Sequence, residues 1–474
     1  MHKSIVLLTA LTWLSGCAVG PDYQPVQPDA PERFLEAPQA SAGGADEQRF
    51  WAGFDDPMLA GLIRQTLDAN RDLRAALARY QRAEALLRGS RAEQLPNVGV
   101  SASAAEQHLA DVERTPPGAG DDRVELYQAA AGLSWELDLF GRLRRASEAQ
   151  RAELGAAGAD LAALQVALVG QLATSYFELR GLQQQLLVAR SNVDNQRQSL
   201  EIVRSRVGAG RGTAFDEVRA ISQLEATRAV IPDLQAAVRA RMFRIAVLTG
   251  QNPAALVDEL APPAPLPESL PVIPVGSPGE VLRRRPDIRA AERRLAAASA
   301  RIGVATADLF PSFSLDALIG SVASDSGDLF SAGAETRRVA LGVDWTFLDF
   351  GRVRSRIDAA DADSQAALAN YEQTVLLALE ETETQLVRYA RSRERSERLG
   401  AATDAAGEAA ELARTRYRQG FIGFFEVLAA EQELIDTRDA LIESRTAETL
   451  AMVNIYRALA GAPGAATPIA SAND

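Results

Sequence analysis

Residues 135–149 read WELDLFGRLRRASEA, and residues 345–359 read WTFLDFGRVRSRIDA. The tryptophan, the Phe-Gly-Arg triplet and the arginine two residues beyond it hold the same places in both. Upstream of the first copy, Tyr127, Ala129, Ala131, Leu133, Trp135, Leu137 and Leu139 alternate with Gln128, Ala130, Gly132, Ser134, Glu136 and Asp138. Alternation of that length predicts a strand with one apolar and one polar face. Phe140-Gly141 ends it, and no proline then interrupts the chain from Arg142 to Ile231, so a very long helix follows to about Arg206. The stretch is a strand-to-helix joint, and the chain makes it twice.

Working outward, the two halves align. Asp72, Arg74, Ala75, Ala76, Arg79 and Pro96 recur 215 positions on as Asp287, Arg289, Ala290, Ala291, Arg294 and Pro311. Trp135, Gly141, Arg206, Gly210 and Phe215 recur 210 positions on as Trp345, Gly351, Arg416, Gly420 and Phe425. This predicts a duplication of helix, two strands, long helix and return helix, over 56–250 and again over 279–462. In the first copy Asp56-Pro57 starts a helix that runs to Leu95, Val98 to Ala104 alternate as a strand, and Thr213 with Asp216 forms a capping box for the return helix. Pro232 is expected to kink that helix. In the second copy Ser277-Pro278-Gly279-Glu280 is a capping box, and strands are expected at Phe313–Ile319 and Val339–Phe347. Residues 251–278, with eight prolines from 252 onward, read as a linker, 17–55 as an extended tether and 463–474 as a flexible tail.

The formal net charge of −13 argues against a nucleic-acid partner, because phosphate binding needs concentrated Lys and Arg. His2 and His108 are the only histidines and Cys17 the only cysteine, which excludes a His-based triad or metal cluster and any intrachain disulfide. The Gly208–Gly212 run lacks a preceding strand and a Lys-Ser/Thr pair, so it is a turn rather than a phosphate loop. No catalytic residue, metal site or cofactor is predicted, and the chain does not read as an enzyme. At the N-terminus, residues 1–16 form an export signal with a basic start and an apolar run, too short for a membrane span. Leu14-Ser15-Gly16-Cys17 resembles the lipobox of bacterial lipoproteins, which implies that Cys17 carries lipid.

Magnitudes then constrain the assembly. A helix of about 65 residues is roughly 98 Å long, while helices over 57–94 and 214–249 reach only about 55 Å, so two short ones stacked end to end would flank one long one. The alternating runs match the roughly 9–11 residues of a tilted membrane strand. Four strands cannot close a barrel, since closed membrane barrels start at about eight and open edges cannot sit in lipid. The chain is therefore expected to oligomerise.

Three stretches carry a family resemblance that spans almost the whole chain: LSGCAVGPDYQPV, FWAGFDDPMLAGLI and LRRRPDIRAAERRLAAASARIGVATADLFPSFSL, the last from Leu282 to Leu315. The chain resembles the NodT-like branch of the TolC family, outer-membrane efflux lipoproteins serving resistance–nodulation–division pumps. The resemblance implies a mixed α and β fold: a homotrimer whose four strands per chain form a twelve-stranded transmembrane β-barrel continuing into a long α-helical periplasmic tunnel. It implies a periplasmic membrane-fusion adaptor and an inner-membrane resistance–nodulation–division transporter as partners, and contact with outer-membrane lipid. The adaptor-contact tips map to Val207, Gly208, Ala209 and Gly210, and to Tyr417, Arg418, Gln419 and Gly420. Gly423 stands where the first copy has the capping Thr213, so the second turn is expected to be less well ordered. Asp404, Glu408 and Glu411 share one helix face just above the second turn and are candidates for an acidic lumen gate, with Arg414 and Arg416 available to pair across subunits. Two other readings stand beside passive drug efflux. One is the same duct used for metal ions or protein export, which four methionines in the whole chain do not favour. The other is a structural periplasmic lipoprotein without a pore.

Overall fold

The computed structural model describes residues 18–27, 29–35, 47–114, 122–271 and 275–459, with the side chains of 47–49 left aside. The predicted signal, Cys17, the tail and the whole stretch between Leu35 and Glu47 lie outside the described residues. In chain order the elements are α1 (Glu47–Ala52), α2 (Pro57–Ala69), α3 (Arg71–Ala92), β1 (Asn97–His108), β2 (Arg123–Leu137), α4 (Arg142–Gly208), α5 (Ala214–Leu248), α6 (Val257–Leu260), α7 (Pro278–Arg284), α8 (Pro286–Ala307), β3 (Ser312–Ala323), β4 (Glu335–Asp344), α9 (Arg352–Gln419) and α10 (Phe424–Ala458). The chain divides into two compact units.

The first unit takes the N-terminal segment through Gln27 together with Arg79–Gly158 and Ala290–Glu372. It holds one antiparallel sheet in the order β1-β2-β3-β4. Register fixes its faces. Val98 opposes Leu133, Leu133 opposes Ala317, and Ala317 opposes Val339, so each strand sets its apolar alternate residues on one shared face. The other face carries Gly99, Ser101, Gln128, Ser134, Asp316 and Arg338. The strand ends differ from expectation. β2 stops at Leu137, short of Leu139, and β4 stops at Asp344, so Trp345 and Phe347 lie past the strand rather than within it. Asp344 pairs with Ser312, the first residue of β3, and beyond that pair β4 has no further partner backbone.

Two expected continuous helices are each broken. The first breaks at Asn70, between α2 and α3; the second breaks at Arg285, between α7 and α8. These positions correspond under the duplication, and so do their bonds. The Asn70 side-chain amide donates to the carbonyl of Leu248, the last residue of α5, at 2.8 Å. The Arg285 guanidinium donates to the carbonyl of Ala458, the last residue of α10, at 2.7 Å. Asn70 also caps α3 by accepting from the amides of Asp72 and Leu73. At Arg285 the following Pro286 disfavours the α region, and the backbone is extended at ψ 121°. The three predicted caps, Asp56, Thr213 and Ser277, are all formed, and the return helix α5 continues through Pro232.

The stretch expected to be a loose tether is packed instead. In the first unit, Val19 donates to the carbonyl of Phe140, and Arg145 binds the carbonyl of Val19 at 3.2 Å and Asp22 at 2.6 Å. Tyr23 donates to Glu292 at 2.7 Å and Tyr371 to the carbonyl of Val26 at 3.1 Å. Gly20, at φ +90°, lies so close to Gly303 that a Cβ would sit 2.4 Å from that residue's Cα, so only glycine fits. In the second unit Phe50, Trp51 and Phe54 are buried. Phe50 stacks on Tyr456 at 4.8 Å, and Phe54 packs on Phe177 at 4.9 Å.

That second unit comprises 28–78, 159–289 and 373–474. Its core joins Leu59 and Leu62 of α2, Leu172 to Leu179 of α4, Ile245 and Leu248 of α5, and Val453 to Tyr456 of α10. The Pro-rich stretch expected to be a simple linker contributes Leu256 and Leu260 to this core and includes α6. Gln183, Arg180 and Gln184 of α4 donate to its carbonyls at Leu260, Pro262 and Ala264. Extended proline-rich backbone has no ladder of its own, so these side chains satisfy its acceptors. α4 is long and apolar enough to pass as a membrane helix, but Leu172, Ala173, Tyr176 and Phe177 on it are buried in this core.

Candidate functional site

The quoted joints are built alike. Trp135 donates its indole N–H to the carbonyl of Gln94 at 3.0 Å, and Trp345 donates to the equivalent carbonyl, Leu309, at 3.1 Å. Each joint also has an aspartate at the start of its long helix, one register apart. Asp138 accepts from the amides of Leu143 and Arg144; Asp349 accepts from those of Gly351 and Val353. An anion there meets free helix N–H groups and the positive end of the dipole. The same amide donors hold the Asp349 carboxyl below its ordinary range. The indole thus ties each strand end to the preceding helix, and the carboxylate starts the next one.

At the far ends of α4 and α9 the two turns close identically. Gly210 donates to the carbonyl of Val207 and Arg211 to that of Arg206; Gly420 donates to Tyr417 and Phe421 to Arg416. This is a Schellman closure, with Gly210 at φ +72° and Gly420 at φ +83°. The first turn continues into a complete capping box, Thr213 with Asp216, whereas Gly423 offers α10 no side-chain cap. Of the eight tip residues read from sequence, Gly208, Ala209, Gly210, Arg418, Gln419 and Gly420 are exposed. Val207 packs against the local core, and Tyr417 is buried within it at 6% exposure. Tyr417 is therefore a support for the tip rather than part of its outer surface. Arg206 stacks over its ring at 4.3 Å and donates to its carbonyl at 2.6 Å, and burial pushes the phenol pKa up.

The sequence reading missed the tip's apolar surface. Phe215, Val218, Phe421 and Phe425 are all exposed, Phe421 at 74%. Arg219 lies between the two equivalent phenylalanines, 5.6 Å from the ring of Phe215 and 5.0 Å from that of Phe425. The signal was present, since Phe215 and Phe425 match across the repeat just past each helix start. An exposed apolar group framed by polar residues is the composition of a docking patch.

The acidic trio sits as the helix period requires. Asp404, Glu408 and Glu411 are exposed on α9, on the side opposite Ala406 and Ala410, which pack against Leu434. Arg414 does not stand free for a neighbouring subunit. It pairs within the chain with Glu431 of α10 at 2.7 Å, and Ser199 of α4 donates to the same carboxylate oxygen. Among the described residues no group of His, Cys, Asp or Glu is arranged to hold a metal.

A one-sided apolar sheet, duplicated joints and long helical hairpins define a class, and comparison with known proteins shows which. The chain matches the family model described as outer membrane efflux protein over residues 62–251 and 277–461, and it belongs to that family. It is 31% identical to nodulation protein T of Rhizobium leguminosarum bv. trifolii, covering 93% of this chain and 94% of that one. It is 32% identical to the solvent efflux pump outer membrane protein SrpC of Pseudomonas putida, covering 95% and 97%. Among solved structures, the outer-membrane channel OprN superposes with a TM-score of 0.87 at 40% identity, covering 94% of this chain and 99% of that one. CusC, solved in a study of transmembrane channel formation, superposes with a TM-score of 0.81 at 27% identity, covering 94% and 100%. The expected membership of an outer-membrane efflux family and the mixed α and β fold are thereby established.

Proposed function

We propose that this chain is the outer-membrane duct of a tripartite efflux pump, passing drugs or other small toxic compounds outward without chemistry of its own. The observation that carries the reading is the sheet: four antiparallel strands, one continuous apolar face, and two unpaired edges, β1 and β4. Such edges cannot face lipid, and four strands fall short of the roughly eight a closed barrel needs. Three copies give twelve strands, with β4 of each antiparallel to β1 of the next. The apolar face then meets lipid, and the face with Ser101, Gln128 and Asp316 lines water.

The partners follow the same assembly. The exposed Gly208–Gly210 and Arg418–Gly420 turns, with Phe215, Phe421 and Phe425 beside them, meet a periplasmic membrane-fusion adaptor, which links the duct to an inner-membrane resistance–nodulation–division transporter. Asp404, Glu408 and Glu411 form an acidic ring near the tunnel end. Cys17 carries the lipid anchor, and a Cys17→Ser chain would lose incorporation of labelled palmitate.

The deciding experiment is ethidium accumulation in a strain lacking the gene, with and without the gene restored. Higher accumulation that returns to normal on complementation supports drug efflux. Unchanged accumulation, in a strain where no second duct covers the loss, removes small cationic drugs as cargo and favours metal or protein export.

A further inference from the structure

The first joint carries a charge pattern that its duplicate lacks. Between the end of α3 and the first turns of α4 lies an open groove of about 530 Å³, lined by Arg91, Gln94, Arg144, Ser147, Glu148 and Arg151. Arg144 is fixed by Asp138, whose carboxylate and carbonyl accept from its guanidinium at 3.1 and 3.0 Å. Glu148 is held by Arg145 at 2.8 Å, which offsets its charge. The side chains of Arg91 and Arg151 are exposed and make no hydrogen bond or ion pair among the described residues.

We propose that this groove binds the headgroup of an anionic phospholipid in the periplasmic leaflet, with the lipid phosphate against Arg91, Arg144 and Arg151. The proposal rests on the reading of the sheet as the membrane wall, and adds a lipid site at its foot.

Three observations carry it. First, the groove lies on the lipid side of that wall. Trp135 belongs to the apolar face, and its indole N–H donates to the carbonyl of Gln94, so a groove residue stands where that face ends. Indole rings at the edge of an apolar band mark the headgroup level of a bilayer. The opposite side of α4 is marked by Arg142, which reaches back to Glu136 of the polar face at 2.6 Å. Arg144 and Arg151 stand about half a turn round the helix from it.

Second, the chemistry suits a phosphate diester next to apolar surface. Guanidinium forks bind phosphate oxygens in pairs. Arg91 and Arg151, close to a third guanidinium, repel it and each other until an anion enters. Above the groove Val98 and Val100 are exposed on the apolar face of β1, where acyl chains would lie.

Third, the duplication supplies a control. The second joint repeats the indole bond and the aspartate that starts the long helix. Yet Thr306, Arg354, Asp358 and Asp361 stand where the first joint has Arg91, Arg144, Glu148 and Arg151. One arginine of the three remains, accompanied by two carboxylates. The architecture of the joint therefore does not demand the basic groove, and a ligand held at one joint and not the other accounts for it.

The test uses the full-length protein in detergent and a phosphatidylglycerol with a fluorophore on one acyl chain, read by fluorescence anisotropy. Saturable binding is expected, roughly thirtyfold weaker in Arg91→Gln/Arg151→Gln, the loss for two guanidiniums facing an anionic headgroup. Arg91→Lys/Arg151→Lys, which keeps the charge, should recover most of the affinity. Should the glutamine pair fail to assemble, Arg151→Gln alone replaces it, with a loss of roughly fivefold. The matching phosphatidylcholine should bind more weakly and without regard to these residues. Equal affinity of wild type and glutamine variant overturns the proposal, and so does equal affinity for the two lipids. Inorganic phosphate is the third probe: displacement of the lipid by millimolar phosphate would make the groove a site for the free anion and overturn the lipid assignment. Conductance of the same preparation in a planar bilayer judges the membrane-wall reading separately. A conducting protein whose lipid binding ignores Arg91 and Arg151 loses this site and keeps the duct.

Discussion

Asn70 and Arg285 do the same work with different chemistry. Each interrupts a helix and donates to the last carbonyl of a return helix, one through a neutral amide and the other through a guanidinium. Asn70→Ala removes both the α3 cap and that bond, and should cost about 1–2 kcal/mol, read as a lower apparent melting temperature by circular dichroism. Arg285 carries more, because it also binds Asp287 and Glu381. A second residue-scale prediction concerns pH. Burial, then the neighbouring Glu443 and Asp436, push the Asp439 carboxyl above its ordinary 3.8. The folded state then holds a proton more tightly than the unfolded one, so this group opposes folding above the unfolded pKa, and that cost fades as pH falls through the raised folded value. Asp439→Asn should therefore raise the melting temperature at neutral pH, and the gain should shrink on acidification toward the carboxylate range. A gain independent of pH would show that charge is not the cause.

At the scale of elements, the two tip turns differ by one residue's chemistry. Both close through the same pair of backbone bonds, but only the first continues into a capped helix. Gly423→Thr, with Glu426 already three residues on, would complete the box. A Cβ there meets only the flexible end of Glu426. It should stabilise the start of α10 by about 0.5–1 kcal/mol, seen as slower hydrogen exchange at the Glu426 amide. The strands, long helices, tips and duplication were legible because each depends on local pattern: alternation, missing proline, paired glycines, matched spacing. The helix break at Arg285 had a local signal too, in the proline that follows it. The N-terminal strap had none. Its carbonyls are held by Arg145 and Tyr371, and Tyr23 and Asp22 reach Glu292 and Arg145, all more than a hundred residues away. Proline-rich composition describes how such a segment behaves alone, and says nothing of the surface that receives it. The exposed phenylalanines at the tips failed for a related reason, since period alone does not tell a core position from an outer one.

For the whole molecule, the strap and the sheet edges set the terms of assembly. Arg145→Ala should release the strap, lowering local stability by about 2 kcal/mol and raising proteinase K cleavage within 18–27 roughly thirtyfold. Unchanged protection would mean the strap holds without Arg145. The acidic trio belongs to this scale as well, because a single chain leaves it solvated and only a ring concentrates its charge. The central claim is that these pieces make a water-filled conduit, and conductance of the purified protein in a planar bilayer tests it most directly. The account predicts discrete ion-conducting steps, with a cation preference that falls when Asp404, Glu408 and Glu411 are replaced by their amides. Protein that inserts and assembles yet carries no current above bare lipid would contradict it.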